Sequence, residues 1–429
     1  MKILSLAEES GKAALKALLG RGSGDFSAQE ETVKEIIQNV RDRGDAAVFE
    51  YTEKFDGVSL DAESLYVSEE EIREAEAKVD GKLMDVMRHA AANIRVFHEE
   101  QKRQSFFTEQ PGRILLGVRI TPLQRAGVYV PGGKAAYPSS VLMNIIPAKV
   151  AGVSEIIMAT PCGKDGKVNP VVLAAASIAG ADKIIKTGGA QAIAAMAYGT
   201  ESIPKVDKIT GPGNIYVALA KRMVYGAVGI DSVAGPSEIL VLAEDGANPR
   251  YIAADLLSQA EHDELASAVL ITTSKELAKA VEKEIEAFLP MLPRRAIIEK
   301  SLENYGAILI ASSIEEGCNA VNEIAPEHLE ILTKDPLGTM SMIRNAGAIF
   351  LGEYSSEPLG DYFAGSNHIL PTNQTARFSS PLGVDDFIKR SSVIRYSREA
   401  LSKVHEEIEE FARREGLNAH ENSIKVRFE

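Results

Sequence analysis

Glu155-Ile156-Ile157-Met158-Ala159, then Pro170-Val171-Val172-Leu173-Ala174-Ala175-Ala176-Ser177-Ile178-Ala179, then Lys183-Ile184-Ile185-Lys186 form the stretch whose reading decides the fold. The two short apolar runs lie beside turn residues and read as buried strands, while the alanine-rich segment between them reads as a helix. Strand, helix, strand is a βαβ unit, and the alternation continues in both directions. Upstream, Ile114 to Thr121 and Gly127 to Val130 are β-rich. Downstream, Lys208-Ile209-Thr210 leads through Gly211-Pro212-Gly213-Asn214 into another helix, and Gly229-Ile230-Asp231 ends this unit. A second alternating unit opens at Ile239-Leu240-Val241-Leu242 and runs through a helix at 250–262, a strand at 268–272 and a helix at 275–288. Runs at 307–310, 329–332 and 348–351 complete its sheet. Two α/β halves are expected rather than one barrel.

The flanks have another texture. Residues 1–25 read as an arm ending in the glycine-rich Gly20-Arg21-Gly22-Ser23-Gly24. Ser27-Ala28-Gln29-Glu30 has the form of a capping box, with Val33, Ile36, Ile37 and Val40 following at helical spacing. Ser68 opens a second helix, whose first-turn acids Glu69, Glu70 and Glu71 favour the helix dipole. A long charged helix follows at 82–104, and its His89 and His98 are expected at the surface. Near the C-terminus, Leu401, Val404, Ile408 and Phe411 mark one face of an amphipathic helix that Gly416 is placed to end.

With 429 residues the chain can bury a large core in two or three domains. Its net charge of −14 argues against a general grip on nucleic acid or anionic lipid. The N-terminus meets Glu8 and Glu9 before any apolar run reaches signal-peptide length, and no run approaches a membrane span. Cys162 and Cys318 make neither a metal-ligand pair by spacing nor a disulfide framework. A soluble, cytoplasmic enzyme is the expectation.

Several stretches can carry chemistry. Gln259 and His262, three apart at the end of a helix, project side by side, and an amide oxygen beside an imidazole can begin a nitrogen and oxygen metal site. The alternative is a solvated helix end. Glycine turns at 131–133, 187–189, 211–213 and 235 let backbone approach a ligand beyond strand ends, yet none forms Gly-x-Gly-x-x-Gly. Glu327-His328, just before a strand, can supply two proton-transfer groups whose side chains diverge, or can be a polar loop. Asp361 is a candidate carboxylate ligand or a turn-capping aspartate, and His420 lies in a tail able to reach a neighbouring subunit. His405 is read as surface. Either cysteine is a conceivable nucleophile, though small buried cysteines are commonplace.

Taken in order, these stretches resemble the histidinol dehydrogenase family. The resemblance rests on Gly127-Val128-Tyr129-Val130-Pro131-Gly132-Gly133, Gly188-Gly189-Ala190-Gln191, Gly211-Pro212-Gly213-Asn214-Ile215-Tyr216-Val217 and Ala234-Gly235-Pro236-Ser237-Glu238. It continues through Gln259-Ala260-Glu261-His262, Ala325-Pro326-Glu327-His328-Leu329-Glu330, Gly360-Asp361-Tyr362, Asn367-His368-Ile369-Leu370-Pro371-Thr372 and Glu415-Gly416-Leu417-Asn418-Ala419-His420. It implies an α/β fold of two incomplete Rossmann-like doubly wound units, with a helical N-terminal region and a helical C-terminal tail. The expected division is an arm at 1–25, a first domain of 26–128 and 239–380, an inserted NAD-binding domain at 129–238, and a tail at 381–429 swapped in a homodimer. The activity implied is the last step of histidine biosynthesis, the oxidation of L-histidinol through L-histidinal to L-histidine by two NAD⁺ with one Zn²⁺ per subunit.

By the family pattern Gln259, His262, Asp361 and His420 ligate the metal, and Tyr129, Gln191 and Asn214 contact NAD. Ser237, His328, His368 and Glu415 surround the substrate, which the metal ligands also face, while Glu327 and His328 accept protons. His420 and Glu415 would reach the other subunit's site. A related zinc- and NAD-dependent dehydrogenase of another small alcohol, such as a sulfopropanediol, is the nearest rival. A metal-dependent hydrolase and a non-catalytic binding protein are more distant ones.

Overall fold

The computed structural model describes residues 1–20, 26–132, 136–233 and 235–429, so positions 21–25 of the arm's glycine-rich end, positions 133–135 and Ala234 lie outside the described residues. Their strands are β1 (Lys2–Ser5), β2 (Phe106–Gln110), β3 (Ile114–Pro122), β4 (Arg125–Tyr129), β5 (Glu155–Ala159), β6 (Lys183–Ile185), β7 (Lys208–Thr210), β8 (Gly229–Ile230), β9 (Glu238–Ala243), β10 (Ser267–Thr272), β11 (Gly306–Ile310), β12 (His328–Leu332), β13 (Ala348–Leu351) and β14 (Ile388–Arg395). They form two parallel sheets, β1-β11-β10-β9-β12-β13 and β6-β5-β4-β7-β8, and one antiparallel sheet, β14-β3-β2. The chain divides into two compact units, Met1–Gln101 with Leu123–Phe387, and Lys102–Pro122 with Ile388–Glu429.

The first unit holds both parallel sheets. Numbered within each sheet from its first βαβ strand, β4 to β8 and β9 to β13 both run 3-2-1-4-5. That is the doubly wound order without its sixth strand, so each is an incomplete Rossmann-like unit. Side chains alternate across the six-stranded sheet, as the pleat requires. Ile239, Val241, Leu270, Ile308 and Leu332 pack one face under the helices Pro249–Ala260, Lys275–Phe288 and Arg295–Tyr305. Leu240, Leu242, Ile271, Leu309, Leu329 and Ile331 pack the other face beneath Cys318, Ala320 and Val321 of the helix Ile314–Ile324. Burying each such side chain stabilises the fold by about 1.5–3 kcal/mol.

Several expectations change. Lys2–Ser5 of the arm is an edge strand, pairing in parallel with β11. The helices between Ser27 and Glu99 pack on helices of the five-stranded sheet, whereas the expected division joined 26–128 to 239–380. The capping box forms at Ser68, with Glu71 at its third position, but not at Ser27, where Phe26 holds the N-cap position. His98 is fully buried rather than at the surface. Its Nδ1–H donates to the Ile94 carbonyl at 2.8 Å, and the Asn367 amide donates to its Nε2 at 3.4 Å. His89 is exposed, with its ring edge-on to Phe363.

The second unit is the antiparallel sheet and the C-terminal helices. The tail therefore opens with a strand, β14, before the helices Arg398–Ser402, His405–Arg414 and Asn418–Lys425. Gly416 ends the second of these helices with φ +72°. Phe411 is 73% exposed, so the apolar face of this helix is largely uncovered.

Candidate active site

The amino ends of β9 and β12 are neighbours at the point where the six-stranded sheet reverses its strand order. There the backbone N–H of Glu238 donates to Glu327 Oε2 at 2.9 Å, and that of Glu327 donates to Glu238 Oε2 at 3.3 Å. The His328 Nδ1–H donates to the Glu238 carbonyl at 2.9 Å. That bond fixes the tautomer, and it leaves Nε2 buried with no hydrogen-bond partner among the described residues. Nε2 points at Asp361 Oδ1, 3.6 Å away.

Asp361 comes from the short helix Glu357–Tyr362, where Glu357 stands four positions earlier and shares its face. His328, Glu357 and Asp361 each bring a ligand-type atom within 4.8 Å of the others, and of the expected imidazole and carboxylate ligands Asp361 belongs to this cluster while His262 and His420 do not. Gln259 is buried near the end of the helix Pro249–Ala260, and its Oε1 has no hydrogen-bond partner among the described residues. Its neighbour Ser258 donates to Glu357 Oε2 at 3.2 Å, which ties the two helices together. His262, just past the helix end, lies within electrostatic reach of Asp361 and His328. The His368 Nδ1–H donates to the Asp361 carbonyl at 3.0 Å, and its Nε2 accepts from Ser140 Oγ at 3.3 Å. Ser237 precedes β9 and is half-buried.

The electrostatics are those of acids and imidazoles enclosed together. Burial pushes Glu327 up to about 8, opposed by His328 and reinforced by Glu238. Burial pulls His328 down, but the Glu327 and Asp361 carboxylates outweigh it and raise the imidazole to about 10. Burial also raises Glu357 to about 7 and, with Asp255 beside it, lifts Glu330 well above the carboxylate range. Sequence reasoning missed Glu357 and saw Glu238 and Glu330 only inside motifs. The available signals were Glu330 two positions after His328 on one strand face and Glu357 four before Asp361 on one helix.

The five-stranded sheet opens into a cleft of about 1270 Å³ at the carboxyl ends of its strands. Tyr129, Thr160, Gln191 and Asn214 line it, as do Asp56 and Tyr216. The buried Tyr129 hydroxyl accepts from the Gly189 N–H at 3.1 Å, and burial raises its pKa to about 12. Gln191 is 1% exposed, with Oε1 lacking a partner among the described residues. Asn214 Oδ1 caps the helix Ile215–Val224, accepting from the N–H groups of Tyr216 and Val217. Beneath this turn, Lys221 Nζ donates to the Gly211 carbonyl at 2.9 Å and pairs with Asp231, whose Oδ2 accepts from the Gly211 N–H at 2.8 Å. Gly211 has φ +116°, and a Cβ there would lie 2.0 Å from the Tyr129 carbonyl oxygen. Only glycine fits.

Glu415 and His420 belong to the second unit, where both are exposed. His405 Nδ1 meets Glu409 there at 3.0 Å. Cys162 and Cys318 are buried and free, and burial raises both thiols, which disfavours the thiolate a nucleophile requires.

Comparison with known proteins agrees with this geometry. Residues 19–428 match the family model described as histidinol dehydrogenase. The chain is 59% identical over 401 residues to a histidinol dehydrogenase of Geobacillus kaustophilus, covering 94% of each chain. It is 54% identical over 429 residues to that of Halalkalibacterium halodurans, covering 100% of this chain and 99% of the relative. The crystal structure of histidinol dehydrogenase from Elizabethkingia anophelis superposes with a TM-score of 0.92 at 37% identity, over 99% of this chain and 97% of that one. A pair of incomplete doubly wound units, a buried Glu-His pair and these matches lead to one conclusion: the chain belongs to the histidinol dehydrogenase family of oxidoreductases.

Proposed function

We propose that this chain carries out the last step of histidine biosynthesis, oxidising L-histidinol through L-histidinal to L-histidine with two NAD⁺ and one Zn²⁺ per subunit. The observation that carries the reading is the buried Glu327-His328 pair, with His328 Nε2 and Gln259 Oε1 both buried and lacking protein partners among the described residues. An amide oxygen, a carboxylate and imidazoles form a donor set that suits Zn²⁺. Gln259, His262 and Asp361, with His420, would hold the ion. When bound it would orient the amino alcohol and offset the Asp361 charge, favouring the neutral form of His328.

NAD⁺, when bound, would supply the hydride acceptor for each oxidation. His328, its tautomer set by the Glu238 carbonyl, accepts the hydroxyl proton at Nε2 as the carbon loses that hydride. Glu327, held by the Glu238 N–H, takes a proton from the water that adds to the aldehyde before the second oxidation. Ser237, His368 and Glu415 line the substrate. Tyr129, Gln191 and Asn214, which line the cleft of the five-stranded sheet, would contact NAD⁺ there. Ser140 joins the two regions through His368.

We further infer a cytoplasmic homodimer in which each tail, carrying Glu415 and His420, completes the site of the other subunit. The uncovered Phe411 supports a second copy as the partner. Among the described residues no helix is long and apolar enough to cross a membrane. The test is NADH absorbance after adding L-histidinol and NAD⁺, with and without a chelator, beside a panel of small alcohols that includes a sulfopropanediol. NADH formation confined to histidinol and abolished by the chelator is expected. No NADH from histidinol, or full activity after metal stripping, would overturn the reading.

A further inference from the structure

One carboxylate oxygen in the cleft has no task in the fold. Asp56 ends the helix Asp45–Asp56, and it lines the cleft with Oδ2 buried and without a hydrogen-bond partner among the described residues. Burial raises its pKa, and an anion in the last turn of a helix also opposes the dipole. Neither contributes stability, so an external partner is the better explanation of an acid in this place.

The sheet order suggests that partner. In a doubly wound sheet the adenosine ribose of a dinucleotide is held by an acid near the end of the second strand. Here that strand is β5, and the loop after it brings Asp165 to the cleft, where its Oδ1 already accepts from the Lys167 N–H at 3.1 Å and is engaged within its own loop. Asp56 supplies a carboxylate from outside the sheet. Its field reaches Cys162, just past β5, and Tyr129, the last residue of β4, and all three line the same cleft. Lys164 lines the cleft too, a cation within its wall that a phosphate group can meet once the carboxylate is gone.

We propose that Asp56 receives the adenosine ribose hydroxyls of NAD⁺ and sets the preference for NAD⁺ over NADP⁺. The proposal rests on the reading that this cleft takes NAD⁺. A carboxylate accepts from ribose hydroxyls, whereas a 2′-phosphate places like charges together.

The chain has no Trp, so binding is read by calorimetry rather than by tryptophan quenching. NAD⁺, NADP⁺ and an NAD⁺ analogue lacking the adenosine 2′-hydroxyl are titrated into wild type, Asp56→Asn and Ala136→Trp, the last to fill the cleft from its exposed rim. Wild type is expected to bind NAD⁺ about ten- to a hundredfold tighter than either other ligand, the size of a hydrogen bond to a charged group. Asp56→Asn should keep its melting temperature and lose most of that discrimination. Ala136→Trp should bind none of the three. If Ala136→Trp abolishes NAD⁺ binding while Asp56→Asn keeps the wild-type ratios, Asp56 is not the selector although the cleft reading stands. If wild type binds no NAD⁺, or Ala136→Trp binds it unchanged, the cleft reading fails and the proposal with it.

Discussion

Lys221→Met tests how the Gly211 turn is held. The Lys221 and Asp231 side chains are 2% and 5% exposed, so the substitution leaves a carboxylate in a dry site and removes the donor to the Gly211 carbonyl. Breaking one side of a buried pair costs about 3–5 kcal/mol. With a urea slope near 3 kcal/mol/M, the unfolding midpoint should fall by roughly 1–2 M. Adding Asp231→Asn removes the stranded charge and should restore at least about 1 kcal/mol, since partners in contact are not additive. The turn carries Asn214 at the mouth of the cleft, so NAD⁺ affinity should also fall in the single variant under folding conditions. A single variant with the wild-type midpoint, or a double variant no more stable than the single one, would refute the clamp.

Three further outcomes follow from the acid-base site. His328→Ala should slow histidinol oxidation by about 10²–10⁴ while bound metal, read by mass spectrometry, stays at the wild-type level; loss of metal would make His328 a ligand, as its cluster with Glu357 and Asp361 allows. Glu327→Gln should slow histidinal oxidation more than histidinol oxidation in single-turnover experiments, and the reverse order would remove its assignment to the water. Mixing His420→Ala with Glu327→Gln, each severely slowed alone, should raise activity well above either, because an exchanged tail gives each mixed dimer one intact site. No recovery, with mixed dimers shown to form, would place each tail in its own subunit.

The strands of both parallel sheets were legible because each is a short apolar run between turn residues, and Lys183-Ile184-Ile185 needed no other cue. β1 was not, since Lys2-Ile3-Leu4-Ser5 is an edge that makes sense only beside β11. β2 was missed for the opposite reason: its residues are all exposed and leave no alternating pattern. His98 was misread although the cue was present, for Met84, Met87, Ala91, Ile94 and His98 form one buried stripe at helical spacing. At the site, Glu327, His328 and Asp361 could be named from sequence, but the burial of Glu238, Glu330 and Glu357 depends on which strands and helices meet. The packing of 27–99 on the five-stranded layer escaped for the same reason, because an apolar helix face does not say which sheet it will cover.

The pairing of β1 with β11 has a consequence for how the polypeptide is made. On a ribosome adding about 5–20 residues per second, β11 emerges tens of seconds after β1, some 300 residues later. The five strands from β4 to β8 lie wholly within that interval, so their sheet can close while Lys2–Ser5 still waits for its docking edge. The five-stranded layer would thus form vectorially, and Lys2–Ser5, made long before β11, would be among the last segments to find their place.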